Sequence, residues 1–186
     1  FIPLVHEASW ATERDGASMA EIDSAVKFRL GFPMGIFELA DFTGLDVIQK
    51  ATEEMHSRDK KVINPHPKIK ELFDNKKLGQ KTGAGFYEYS GDKYERVALS
   101  EELASKFNPI RLVANMLNNA AWLVTNQASD IPEIEKALQL GMGLKKQIFE
   151  TGKEFGISNI VNELKTQAKK YGQFYEPDPL LVAMQS

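Results

Sequence analysis

Three histidines are the side chains of this 186-residue sequence that are best suited to acid–base or metal chemistry. His6, His56 and His66 are scattered, and none stands at a metal-ligand spacing from another. Because the chain has no cysteine, disulfides, thiolate metal sites and a cysteine nucleophile are excluded. We therefore predict solvated or packed histidines and no metal site.

Two carboxylates lie beside a loop of unusual sequence. Glu38 and Asp41 follow a stretch rich in glycine and proline, residues 31–35. An acidic side chain at the start of a helix interacts favourably with the helix dipole. We expect both carboxylates to cap a helix or brace the loop, and we predict no catalytic residue in this chain.

Two short glycine motifs resemble phosphate-binding loops, Gly83-Ala84-Gly85 and Gly141-Met142-Gly143. A dinucleotide site needs a strand before the glycines and a helix after them. The first motif precedes a strand pattern and the second ends a helix pattern, so we predict no cofactor site in the chain. Three lysines near the first motif could meet a phosphate, but a solvated charge run is the default: Lys76, Lys77 and Lys81.

The composition is that of a globular protein, with 42% apolar and 26% charged residues. A net charge of −3 gives no electrostatic footprint for nucleic acid. No apolar run approaches the roughly 20 residues that span a bilayer. Together with the lack of cysteine, this composition predicts a cytoplasmic protein that binds neither nucleic acid nor membrane.

Helical periodicity governs most of the chain. Ser18 and Glu21 form a capping-box pattern, and Asp130 with Glu133 is a variant of it. The one strand signal predicts a small β-hairpin, with residues 86–89 and 93–97 as its arms. The predicted fold class is therefore all-α with one small β-hairpin.

An internal repeat organises these elements. Shifted by 112 positions, the first half lies on the second without a gap, and Trp10 meets Trp122. The segment 36–38 repeats as 148–150, and the Pro-x-Pro connector also recurs in register. We predict two similar helical units: 1–99, the first repeat with its C-terminal hairpin, and 100–186, a degenerate second repeat.

Two stretches resemble one known family. Residues 31–46, GFPMGIFELADFTGLD, are similar to the signature of the C-terminal domain of 3-hydroxyacyl-CoA dehydrogenases. Residues 78–89, LGQKTGAGFYEY, are similar to the ending of that domain. The resemblance implies a duplicated all-α domain of the 6-phosphogluconate dehydrogenase C-terminal-like type, as in multifunctional relatives that carry two tandem copies.

The resemblance also implies an activity. Family members oxidise a 3-hydroxyacyl-CoA to the 3-ketoacyl-CoA with NAD in fatty-acid β-oxidation. NAD and a catalytic His–Glu pair are expected in an N-terminal Rossmann domain. The chain opens inside an apolar pattern without methionine, so we expect a fragment that lacks this domain and is inactive alone. The implied partners are an acyl-CoA, the chain's own Rossmann domain and, as in some family members, a fused enoyl-CoA hydratase domain.

The second repeat departs from the family pattern. It lacks the Pro-Met-Gly loop, whereas the turn behind that loop recurs. We therefore predict that substrate contacts lie on the loop of the first repeat, at Phe32, Pro33, Met34 and Gly35. Ile36 stands where the family usually has proline, which predicts a less rigid loop. Since no complete active site is present, the alternative is a helical protein-assembly module without dehydrogenase activity.

Overall fold

The computed structural model describes residues 1–90 and 98–185, which fold almost entirely into α-helices. The first set of helices is α1 (Ile2–Arg14), α2 (Met19–Phe28), α3 (Ile36–Thr43), α4 (Leu45–Arg58), α5 (Pro67–Asp74) and α6 (Glu101–Ser105). The second set is α7 (Ile110–Thr125), α8 (Ile131–Met142), α9 (Ile148–Phe155), α10 (Ile157–Tyr171) and α11 (Pro179–Ala183). The all-α class is confirmed.

Local sequence signals set the ends of these helices. Ser18 and Glu21 form the predicted capping box at the start of α2, with both reciprocal hydrogen bonds present. The Asp130 side chain accepts from the amide of Glu133 at the start of α8. Gly44 separates α3 from α4 with a φ of 101°, a conformation that favours glycine.

The repeat predicted from the sequence is present in the helices. Both ends of α3 and of α9 differ by the same 112 positions, and α4 and α10 begin 112 positions apart. The register of the duplication is therefore confirmed.

The chain divides into two compact units. The first comprises Phe1–Arg29 and Met34–Phe107, and the second comprises Leu30–Pro33 and Asn108–Ser186. In the first unit α6 packs on α2, and the Arg29 guanidinium donates to the carbonyl of Phe107 at 2.8 Å. The division into domains 1–99 and 100–186 stays a prediction.

Each unit has its own apolar core. Side chains with no exposed surface in the first unit include Val5, Ile22, Phe37, Ile48 and Ile69. Those in the second unit include Leu112, Leu117, Ile160, Leu164 and Leu181. These residues stand at helical spacing, as the periodicity predicts. Within the described residues, no helix is both long and apolar enough to cross a membrane.

The predicted hairpin lies partly outside the described residues, since its second arm falls in 91–97. Ala84 forms isolated antiparallel bridges with Gly79 and with Glu88, so this part folds back on residues just before it. The segment 78–89 is called the terminal segment below.

Candidate functional site

Asp41 on α3 holds the terminal segment in place. Its Oδ1 accepts from the amide of Phe86 and its Oδ2 from the amide of Tyr87, each at 2.9 Å. The Tyr89 hydroxyl donates to Oδ2 at 2.6 Å. Because Asp41 is only 1% exposed, these donors replace the water that its carboxylate lost on burial. The two stretches that carry the family resemblance therefore form one structural unit.

Two glycines of the terminal segment make room for Asp41. A Cβ atom on Gly79 would lie 2.2 Å from the Asp41 carbonyl oxygen, and one on Gly85 would lie 2.1 Å from Oδ1. These glycines are explained by close packing. The Asp41 carboxylate beside Gly85 would also repel a phosphate, so the glycine motif 83–85 does not fit a dinucleotide cofactor.

Asp23 on α2 is a second buried carboxylate, which the sequence motifs did not single out. Its Oδ1 accepts from the amide of Phe37 at 2.8 Å, and its Oδ2 accepts from the amide of Glu38 at 3.2 Å. The Tyr87 hydroxyl donates to Oδ2 at 2.9 Å. Asp23 thus caps α3 and binds the terminal segment with the same carboxylate.

The repeat contains a signal that could have identified Asp23. Glu135 stands 112 positions later, and its carboxylate accepts from the amides of Ile148 and Phe149 at 2.8 and 2.9 Å. An acidic residue therefore caps the corresponding helix in both repeats. The longer glutamate reaches amides one position earlier in the repeat, whereas Asp23 packs so closely on Gly35 that a Cβ there would lie 2.2 Å from its Cγ.

Glu38 completes the start of α3. Its Oε2 accepts from the amide of Gly35 at 2.9 Å, and the residue is 6% exposed. The predicted bracing role is confirmed for Glu38, whose carboxylate accepts from the loop residue Gly35. For Asp41 it is wrong, because this carboxylate lies in the last part of α3 and binds the terminal segment instead of the 31–35 loop.

Burial shifts the proton affinity of these carboxylates. Loss of solvation raises the pKa of Asp23 to about 7, despite opposing hydrogen bonds from Phe37, Tyr87 and Glu38. Burial also raises the pKa of Asp41, against the hydrogen bond from Tyr89. The pKa of Tyr87 is raised by burial and by the adjacent Asp23 carboxylate, so its hydroxyl stays a donor.

The four predicted substrate residues lie in different surroundings. Phe32 is 3% exposed and lines a small cavity of the second unit with Leu144 and Ile148. Pro33 is exposed and Met34 is half-buried, whereas Gly35 is buried against Asp23. Pro33 and Met34 are therefore the two that offer side-chain surface to a ligand.

The histidines of α1 and of the connector before α5 are packed. His6 Nε2 lies 2.8 Å from the Thr52 hydroxyl, and His6 Nδ1 accepts from the amide of His66 at 2.9 Å. His66 Nε2 lies 3.2 Å from a carboxylate oxygen of Glu13. Burial lowers the pKa of His6 to about 3. No group of three His, Asp or Glu side chains in the described residues could hold a metal ion.

The lysines of the terminal segment and the turn before it form surface ion pairs. Lys77 Nζ lies 2.9 Å from Glu88, and Lys81 is paired with Asp46. Exposed pairs of this kind contribute on the order of 0–1 kcal/mol. They agree with the interpretation of a solvated charge run.

Comparison with known proteins agrees with these features. The family model for the 3-hydroxyacyl-CoA dehydrogenase C-terminal domain matches residues 1–89 and 107–186. Rat mitochondrial hydroxyacyl-coenzyme A dehydrogenase is 42% identical over 90 residues, which are 47% of this chain and 29% of that protein. A probable 3-hydroxyacyl-CoA dehydrogenase of Caenorhabditis elegans is 40% identical over the same shares. The match thus spans less than a third of either relative.

Solved structures share the fold. A 3-hydroxybutyryl-CoA dehydrogenase from Escherichia coli superposes with a TM-score of 0.82 at 18% identity, covering 99% of this chain and 58% of that one. The dehydrogenase part of multifunctional enzyme 1 from C. elegans gives a TM-score of 0.62 at 20% identity, covering 97% and 45%. At these identities the likeness concerns the fold alone.

Proposed function

The chain belongs to the 3-hydroxyacyl-CoA dehydrogenase C-terminal domain family, and from that premise we propose that it is the substrate-closing part of such an enzyme. The reaction is the NAD-dependent oxidation of a 3-hydroxyacyl-CoA to a 3-ketoacyl-CoA. One observation carries the proposal: the two family signatures fold into a single unit around Asp41 and Asp23.

NAD belongs, in this proposal, to a separate N-terminal Rossmann domain. The glycine motif 83–85 does not fit the cofactor, since the Asp41 carboxylate occupies the space beside Gly85. No step of hydride transfer is therefore assigned to residues of this chain. Its contribution is to bind and enclose the acyl-CoA, which limits the access of water to the reacting atoms.

The proposed substrate contacts remain Phe32, Pro33, Met34 and Gly35. The exposed Pro33 and the half-buried Met34 supply apolar surface for the acyl or pantetheine part, whereas Phe32 and Gly35 are buried. The proposed partners are the acyl-CoA, the Rossmann domain and a possible fused hydratase domain. A cytoplasmic location also stays a proposal, and several relatives carry the word mitochondrial in their names.

The proposal is tested by extending the reading frame upstream of Phe1. A Gly-x-Gly-x-x-Gly strand–turn–helix unit is expected there, and its absence would favour an assembly module. The extended polypeptide should reduce acetoacetyl-CoA with NADH, whereas this chain alone should give no turnover. Turnover by the chain alone would mean that catalytic residues lie within it.

The substrate contacts are tested in the extended polypeptide. Met34→Ala should raise KM for acetoacetyl-CoA roughly tenfold with little change in kcat, since lost uniform binding affects KM alone. Met55→Ala is the matched control, because Met55 is also half-buried but lies on α4. Equal KM values for both variants would remove Met34 from the proposed site.

A further inference from the structure

The Asp23 carboxylate joins two parts of the first unit that are far apart in the sequence. It accepts from the backbone amides of Phe37 and Glu38, which begin α3, and from the hydroxyl of Tyr87 in the terminal segment. Gly35, the last loop residue before α3, packs directly against the Asp23 side chain. A change at Tyr87 can therefore reach the loop through a single buried group.

We propose that Tyr87 is a positioning residue that, through Asp23, sets how firmly Met34 and Gly35 are held at the start of α3, and thereby sets the affinity for an acyl-CoA ester. The acyl-CoA part of this statement rests on the proposed function. The coupling between Tyr87 and the start of α3 rests on the hydrogen bonds alone.

Protonation of Asp23 is the physical link between the phenol and the helix start. The Tyr87 hydroxyl stabilises the ionised carboxylate, whereas burial favours the neutral acid and raises the pKa of Asp23 to about 7. Removing the hydroxyl raises this pKa further, so that a larger fraction of Asp23 is protonated at neutral pH. A neutral acid is a weaker acceptor for the amides of Phe37 and Glu38 than a carboxylate.

Few charged groups influence the protonation of Asp23. From α3, the buried Glu38 faces Asp23, and its negative charge adds to the rise in pKa. The terminal segment contributes Tyr87 itself. From α6, which packs on α2, the charged side chains of Glu101 and Glu102 and the following Lys106 are exposed to solvent. Exposed charges of this kind are screened by salt and by water.

The second repeat has a capping carboxylate at the position equivalent to Asp23, but a different loop beside it. The Glu135 carboxylate caps α9 by accepting from the backbone amides of Ile148 and Phe149. The position that corresponds to Gly35 is Gln147, so the close approach of carboxylate and loop is absent there. The close approach of carboxylate and loop thus occurs together with the Pro-Met-Gly loop in the first repeat, and neither feature is found at residues 143–147 of the second.

The test compares two tyrosine variants of the terminal segment. Tyr87→Phe removes the hydroxyl that reaches Asp23, and Tyr89→Phe, the matched control, removes one that reaches Asp41. Amide protection factors are measured by NMR between pH 5.5 and 8.5 in this chain. Tyr87→Phe should lower the protection factors of the Phe37 and Glu38 amides roughly tenfold, which corresponds to the loss of a hydrogen bond to a charged group. It should also raise the pH at which this protection is half-maximal.

Enzyme kinetics then test the consequence for the ligand. In the extended polypeptide, Tyr87→Phe should raise KM for acetoacetyl-CoA several-fold, more at pH 6 than at pH 8, and should leave kcat within about twofold. Tyr89→Phe should change neither value beyond about twofold.

The other outcomes distinguish the coupling, its effect on the ligand and the proposed function. Equal loss of protection in both variants, or none in Tyr87→Phe, overturns the coupling and leaves Tyr87 as an anchor of the segment. Lost protection with an unchanged KM in an active enzyme overturns the effect on the ligand while the proposed function stands. If the extended polypeptide has no dehydrogenase activity, the proposed function fails, and the protection factors still decide the coupling.

Discussion

The carboxylate of Asp178 takes the place of the imidazole of His66 at the corresponding position of the second repeat. The amide of Asp178 donates to Asn118 at 2.7 Å, as the amide of His66 donates to His6 at 2.9 Å. In both repeats the side chain also accepts from the amide two positions further on. Since a carboxylate and a carboxamide make the same contacts, the two histidines need no proton chemistry to serve the fold.

This correspondence predicts that the histidine cluster can be exchanged for its counterpart. In the second repeat the Thr125 hydroxyl donates to Asp178 at 2.6 Å, where Glu13 contacts His66 in the first. The triple variant His6→Asn, Glu13→Thr, His66→Asp should keep the free energy of unfolding at pH 7.5 within about 1 kcal/mol, measured with urea. His66→Ala alone should cost roughly 1–2 kcal/mol, because it removes the side chain that accepts from the Lys68 amide at the start of α5 and packs on Trp10. A triple variant as unstable as His66→Ala would refute the equivalence.

The same exchange should alter the acid stability of the chain. Burial lowers the pKa of His6 to about 3 from an ordinary 6.5, so the unfolded chain binds more protons between these values. The stability that this group contributes is present above pH 6.5 and is lost as the pH falls towards 3. As the pH falls through this window, the free energy of unfolding of His6→Asn should therefore rise relative to that of the parent by up to ~1.4 kcal/mol per pH unit. Urea titrations at several pH values measure the difference, and parallel curves would contradict it.

Asp23 should show the opposite pH dependence. Its pKa is raised from 3.8 to about 7 by burial, so the folded chain holds the extra proton. The stability from this group is present below pH 3.8 and is lost as the pH rises through 7. Asp23→Asn does not titrate and so does not lose this stability. The amount by which its free energy of unfolding falls below that of the parent should therefore shrink from pH 4.5 to pH 7.5, by up to ~1.4 kcal/mol per pH unit. Urea unfolding measures both proteins, and a disadvantage that grows with pH would contradict the prediction.

Gly79→Ala should strongly destabilise the chain. Gly79 has a φ of 94°, and a Cβ there would lie 2.2 Å from the backbone oxygen of Asp41, which cannot move alone. We expect a cost of roughly 2–4 kcal/mol in thermal or urea unfolding. The control is Gly141→Ala in α8, where a Cβ meets nothing within 4 Å. It should stabilise by about 0.5–1 kcal/mol through helix propensity, and similar effects at both positions would disprove the packing argument.

Asp41→Asn should release the terminal segment. An asparagine amide cannot accept on both sides, so one of the amides of Phe86 and Tyr87 loses its partner, and we expect roughly 2–4 kcal/mol. Asp46→Asn, which removes only an ion pair with the half-exposed Lys81, should cost below about 1 kcal/mol. Limited proteolysis with chymotrypsin should cut Asp41→Asn faster at residues 86–89. Equal cutting of both variants would argue against the anchoring role.

Local sequence signals predicted the starts of several helices. The caps formed by Ser18 with Glu21 and by Asp130 with Glu133 act through residues within a turn of the chain, so their spacing predicts the helix starts. The hydrogen bonds of Asp23 could not be predicted in this way. Its partners Phe37 and Tyr87 lie 14 and 64 positions away, and no local pattern relates them.

The sequence by itself determined the helical class, the 112-residue register and the family, because periodicity, caps and signature motifs are read from neighbours along the chain. Only the tertiary structure decided that Phe32 lies in the second unit, that His6 and His66 are packed, and that Tyr87 donates to Asp23. These facts depend on which distant side chains lose water together. The donors to a buried carboxylate are the groups that the fold brings within hydrogen-bonding distance, and spacing in the sequence does not identify those groups.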